Sequence, residues 1–104
     1  MMNYFDLVAS YIKAPRNVHT VPTDGRTPRW FWVSAEQGTL YVSSGMTPYT
    51  NSYIKGRRKL NAEEFDSIFS LYQRRKRGEA VSAEASAVTQ NQVYWYGIFN
   101  DLNM

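Results

Sequence analysis

Cysteine is absent, and histidine is nearly so: His19 stands alone. Without thiols the chain has no disulfide, no thiolate metal site and no cysteine nucleophile. One histidine cannot build a His-rich metal site, and no serine or aspartate accompanies it at a diagnostic spacing. His19 therefore reads as an exposed loop histidine. Long apolar runs are missing too. No stretch approaches the roughly 18 residues of a membrane span, and Asn3 and Asp6 interrupt the place where a signal peptide carries its apolar run. No membrane partner is expected, and a cytoplasmic location is the default. Gly25, Gly38, Gly45 and Gly56 are isolated, which leaves neither a phosphate loop nor a dinucleotide fingerprint.

Carboxylates offer little more. Asp24 and Glu36 flank the first apolar run, as the acids of a metal-dependent nuclease core do. That core carries a lysine two residues after the second acid, and here Gly38 stands there. Glu63, Glu64 and Asp66 fall in the first turns of a helix, where they complement the positive end of its dipole. No catalytic residue, metal or cofactor is expected, and the chain reads as non-enzymatic.

Rings are abundant: 8 Tyr, 5 Phe and 3 Trp in 104 residues. They fill a core or stack on a partner, and a chain of this length buries a real core as one domain, residues 1–104. The fold class expected is α+β. Residues 3 to 13 suit an amphipathic helix capped by Asn3, with Tyr4, Phe5, Val8, Tyr11 and Ile12 on one face. Pro15 to Pro28 is polar, broken by Pro22, Asp24-Gly25 and Pro28, and reads as a loop. Arg29 to Ser44 reads as a β-hairpin turning at Glu36-Gln37-Gly38, with a loop long enough for a bulge. Its period-2 spacing sends Trp30 and Trp32 to one face and Phe31 and Val33 to the other.

Leu60 to Gly78 has both helix ends written in. Asn61 is placed to cap, Glu64 completes a capping box, and Leu60 and Phe65 form a hydrophobic staple. Phe65, Ile68, Phe69 and Tyr72 make its apolar face, with Leu71 on the margin. Gly78 is placed to end it in the left-handed conformation. Val88 onward repeats the grammar, with Thr89 as cap and Val93, Tyr96, Phe99 and Leu102 as apolar face. The β-formers of Val93 to Phe99, with Gly97 among them, are also compatible with a third strand. Helix is the reading preferred.

Net charge is +3, from 12 Lys and Arg against 9 Asp and Glu. The distribution says more than the total. Seven of the basic residues lie in two runs, Arg57-Arg58-Lys59 and Arg74-Arg75-Lys76-Arg77. At about 1.5 Å per residue the runs stand some 25 Å apart, at opposite ends of the central helix. The second run complements a helix C-terminus. The first sits at the positive end, in what reads as a polar loop, and has no such role. A polyanion would relieve the crowding of like charge in both.

Ala87-Val88-Thr89-Gln90-Asn91-Gln92-Val93-Tyr94-Trp95 resembles the turn and recognition helix of helix-turn-helix proteins, with Ala83 at the small position of the preceding helix. The usual glycine is Ala87 here. The resemblance implies that Gln90, Asn91 and Tyr94 face base edges in a major groove. The leading expectation is a nucleic-acid-binding protein using Arg57, Arg58, Lys59, Arg74, Arg75, Lys76, Arg77, Gln90 and Asn91, beside Tyr49 and Tyr53. The alternative is a protein-interaction or self-associating module built on the ring-rich hairpin.

Overall fold

The first helix begins at a capping box. Asn3 Oδ1 accepts from the Asp6 N–H at 3.0 Å, and Asp6 Oδ2 accepts from the Asn3 N–H at 2.8 Å. These bonds satisfy N–H groups the helix cannot, and α1 then runs over Tyr4–Lys13 in a computed structural model that describes residues 2–104. Its buried face is Tyr4, Leu7, Val8 and Tyr11. Phe5 and Ile12, expected on that face, are 69% and 55% exposed. The 3.6-residue turn that brings 4, 7, 8 and 11 to one side leaves them off it.

Four antiparallel strands follow in sequence order: β1 (Arg16–His19), β2 (Trp30–Glu36), β3 (Thr39–Ser44) and β4 (Arg57–Leu60). The β2–β3 hairpin is tighter than expected. Only Gln37 and Gly38 link the strands, both at positive φ, +50° and +76°. Positive φ at both central positions matches the twist of the flanking strands, so no bulge is needed. The other two strands, β1 and β4, stand where loop is expected from the sequence. β1 has one buried residue, Val18, and β4 has one, Leu60. Each is a strand because a neighbour pairs with it, not because its own residues favour one.

Alternation sorts the sheet into two faces. Val18, Phe31, Val33, Leu40, Val42 and Leu60 turn inward and are buried. Against them lies the helical layer: a 3₁₀ turn over Ala62–Glu64, then α2 (Phe65–Lys76), α3 (Ser82–Val88) and α4 (Gln92–Asp101). Asn61 makes no side-chain cap bond, contrary to expectation. Glu64 does not reach back to Asn61 either; its Oε1 accepts from Trp95 Nε1 at 3.3 Å. A buried indole N–H without an acceptor costs more than a helix end that water can reach, so the carboxylate goes to the indole. At the other end Gly78 takes φ +92°. The Glu79 N–H then bonds the Arg74 carbonyl at 3.1 Å and the Gly78 N–H bonds that of Arg75 at 3.0 Å, the expected C-terminal cap.

Val93 to Phe99 is helix, and Trp95 to Phe99 are all buried in α4. Gly97 explains why β-formers and a glycine belong here. A Cβ on it would stand 2.6 Å from the His19 carbonyl oxygen and 2.9 Å from Phe31 Cζ, so only glycine lets α4 lie this close to β1 and β2. Around it Phe65, Phe69, Trp95 and Phe99 form a ring cluster with neighbouring centroids 5.1 to 6.2 Å apart. Two polar ties lock the layers together. Tyr4 Oη donates to the Leu60 carbonyl at 2.6 Å and accepts from the Leu40 N–H at 2.9 Å. Asp101 Oδ2 takes the Tyr11 hydroxyl and the Arg16 guanidinium, each at 2.7 Å.

Candidate nucleic-acid interface

The sheet's other face carries Asn17, His19, Trp30, Trp32, Tyr41 and Lys59, with Arg57 beside them. Trp32 is flanked across the sheet by Asn17 and Ser43, and Tyr41 by Ser34 and Lys59. Those neighbours are polar, so no bulky apolar side chain from an adjacent strand covers either ring. One end of the face is capped. Tyr49 stacks on Trp30 with centroids 4.0 Å apart, and the His19 ring meets Trp30 edge-on at 5.1 Å. Asn51 fixes that segment, taking the Trp30 N–H on its Oδ1 at 2.8 Å and donating to the Pro28 carbonyl at 3.0 Å.

Strand geometry splits the first basic run. Arg57 and Lys59 fall on the aromatic face, whereas Arg58 lies opposite Val42 on the helical side. The Arg57 guanidinium sits 3.8 Å from the Tyr41 ring centroid and pairs with Glu36 Oε1 at 2.6 Å. Lys59 has no carboxylate partner among the described residues. Arg58 Nη1 donates to Asn91 Oδ1 at 3.1 Å and lies 5.9 Å from the Tyr94 ring. The fold thus joins two residues the sequence proposed separately, Arg58 and Asn91. It also gives the run a structural role: β4 is an edge strand, and exposed Arg and Lys discourage another chain from pairing with it.

Two residues of the second run, Arg74 and Arg77, are paired with carboxylates within the molecule. Arg74 bonds Glu79 at 2.9 Å and Glu84 at 2.6 Å, and Arg77 reaches Glu79 at 3.4 Å. Hydrogen bonds from Arg74 hold the carboxyls of Glu84 and Glu79 below their ordinary range. Arg75 donates to the Val21 carbonyl at 2.5 Å, and Lys76 to the Met104 backbone oxygen at 2.8 Å. These four residues close α2 on the helical layer, apart from the aromatic face.

Helix connectivity at the C-terminus matches the motif it resembles: α3 and α4 are joined by Thr89, Gln90 and Asn91. Thr89 Oγ1 takes the Asn91 N–H at 3.0 Å, a local capping bond, although regular helix starts only at Gln92. The use of α4 differs. A recognition helix needs an open face along its length, and α4 buries Trp95 through Phe99 in the core. Gln90 turns its amide to the Ser86 carbonyl at 3.2 Å.

His19 is a half-buried strand residue, with Nδ1 2.9 Å from the Thr20 carbonyl, and not an exposed loop histidine. Trp32, Tyr41 and Asn17 join the site although no motif marks them. The signal for Trp32 was the apolar character of both faces of β2, which a one-sided sheet does not need; Asn17, on β1, carries none. The fold and this face define a small α+β protein with helices on one side of a four-stranded antiparallel sheet and an aromatic, basic surface on the other. No protein-family model matches the chain, nor does any curated protein or solved structure match it at a significant level.

Proposed function

We propose that this protein binds single-stranded nucleic acid on the outer face of its sheet, as a binding module and not as an enzyme. The observation that carries this reading is the half-buried ring of Trp32, flanked across the sheet by Asn17 and Ser43, on the face away from the helices that also carries Trp30, Tyr41, Arg57 and Lys59. Every base has a π-face, and stacking on an aromatic side chain contributes about 1–3 kcal/mol per base. Antiparallel sheets with surface aromatics present bases this way, splayed out and stacked. Lys59, with no carboxylate partner among the described residues, then stands beside the rings to meet a phosphate oxygen, and Arg57 does so on release from Glu36. Bases in a duplex are already stacked and cannot reach the rings, so the preference is for single strands.

A fluorescence-anisotropy titration with labelled single-stranded and duplex DNA, at about 50 and about 200 mM salt, tests this. The single strand binds more tightly and loses affinity at the higher salt. Micromolar protein with no salt-sensitive binding to either ends the proposal. A concentration-independent dimer in light scattering that Trp32→Ala turns into a monomer makes the same face a self-association surface instead.

A further inference from the structure

A cleft of about 570 Å³ opens between the segment after β1, the segment before β4 and α4, on the helical side of the sheet. Its size lies within the roughly 300–1,000 Å³ of small-molecule sites. Tyr53, 83% exposed, stands on its rim, and Tyr94, Tyr96, Arg29 and Arg75 line it with the apolar ring of Phe31. No carboxylate among the described residues lines it. Arg29 and Arg75 have no carboxylate partner among the described residues. Each is held instead by a backbone carbonyl, Arg29 by Asn51 at 2.8 Å and Arg75 by Val21 at 2.5 Å. One such bond orients a guanidinium and leaves most of its five N–H donors unspent. The third arginine of the cleft, Arg26, is neutralised by Asp24 at 2.6 Å.

Tyr96 adds an independent sign. It is 5% exposed, and its hydroxyl has no hydrogen-bond partner, the one such buried side-chain atom among the described residues. Buried polar groups in folded proteins are nearly always paired, and the residue that carries this orphan is one of those lining the cleft. The Arg75 guanidinium lies 4.6 Å from the centroid of the same ring.

We infer that this cleft takes one nucleotide, its phosphate on Arg29 and Arg75 and its base against the rings of Tyr53 and Tyr94. Planar guanidinium forks match phosphate geometry, and aromatic rings match a base. An anionic aromatic ligand follows from the cleft itself; the choice of a nucleotide rests on the strand-binding reading above. The nucleotide is either free or the phosphorylated end of a bound strand.

Amide and side-chain ¹H–¹⁵N titration of the full chain tests this with adenosine monophosphate, adenosine, inorganic phosphate, and a single strand with and without a 5′ phosphate. Adenosine monophosphate shifts the amides of Val21, Tyr53, Tyr94 and Tyr96, and adenosine or phosphate alone binds more weakly. Arg29→Gln, on an exposed residue, weakens binding about tenfold through the loss of one charge-assisted phosphate contact. Arg75→Lys keeps the charge, loses the fork and weakens it as well. Shifts from the 5′-phosphorylated strand without shifts from the mononucleotide assign the cleft to strand ends. No shift at these amides with any probe at millimolar concentration overturns the inference, and so does saturable binding that both variants leave unchanged. Trp32→Ala separates the two sites: it removes strand binding from the sheet and leaves the mononucleotide in the cleft.

Discussion

A methyl group on Gly97 would meet the His19 carbonyl oxygen at 2.6 Å, and a backbone atom cannot swing aside as a side chain can. Gly97→Ala therefore forces α4 away from β1 and destabilises the fold by about 1–3 kcal/mol, the usual range for overpacking. Chemical denaturation reads this as a lower midpoint. Tyr4 is the second single residue on which much depends. Tyr4→Phe leaves the Leu60 carbonyl and the Leu40 N–H without their buried partner, a loss of about 1–3 kcal/mol measurable in the same experiment. At this scale the sequence was partly legible. Gly97 was visible as an anomaly among β-formers, but its meaning needs the His19 carbonyl, 78 positions away in the chain. Asn3 and Gly78 were fully legible, because a cap acts within one turn of itself.

Elements were legible in proportion to how locally they are determined. α1, α2 and the β2–β3 hairpin carry their own periodicity, whereas α4 buries five consecutive residues, Trp95 to Phe99, and leaves Val93, expected on its apolar face, 47% exposed. β1 and β4 carry almost no periodicity and exist through pairing with a neighbour, so Arg57-Arg58-Lys59 read as one loop cluster. As a strand, the run sends Arg57 and Lys59 to the aromatic face and Arg58 to Asn91. The proposed interface distinguishes them. Lys59→Ala lowers the salt dependence of strand binding by about 0.7 of a unit of slope per lost phosphate contact. Arg58→Ala leaves that slope unchanged, as do alanine substitutions of Arg74, Lys76 and Arg77. That end has its own pH signature. Glu84 and Glu79 have folded pKa values below the ordinary 4.5, chiefly through hydrogen bonds from Arg74. A depressed carboxyl pKa contributes stability above the unfolded value, and that stability is lost as pH falls through the folded value. Thermal unfolding followed downward from pH 5 therefore shows a loss attributable to this cluster. Arg74→Ala removes that part of the loss, and its stability deficit shrinks toward acid.

At the scale of the whole molecule, the α+β arrangement was legible and the location of the proposed site was not. The excess of rings reads from composition alone, and the structure divides them. Phe65, Trp95 and Phe99 go to the core, while Trp30, Trp32 and Tyr41 go to the far side of the sheet. That division depends on which face the helices cover, a fact of packing with no local signature. No described helix is long and apolar enough to cross a membrane. With a net charge of only +3, long-range attraction to a polyanion is weak, and binding depends on the few cations beside the rings. Two or three phosphate contacts on a single strand give a log–log salt slope of about −1.4 to −2.1.

The three tryptophans allow one direct measurement. Trp95 is buried in the core, its indole N–H on Glu64, while Trp30 and Trp32 lie on the outer face. Their indole N–H resonances, followed by ¹H–¹⁵N spectroscopy while a single-stranded oligonucleotide is added, report the two sides of the sheet at once. If strands stack on the outer face, the Trp30 and Trp32 signals move together to saturation while that of Trp95 stays in place. Saturable binding with the Trp30 and Trp32 signals unmoved contradicts the account.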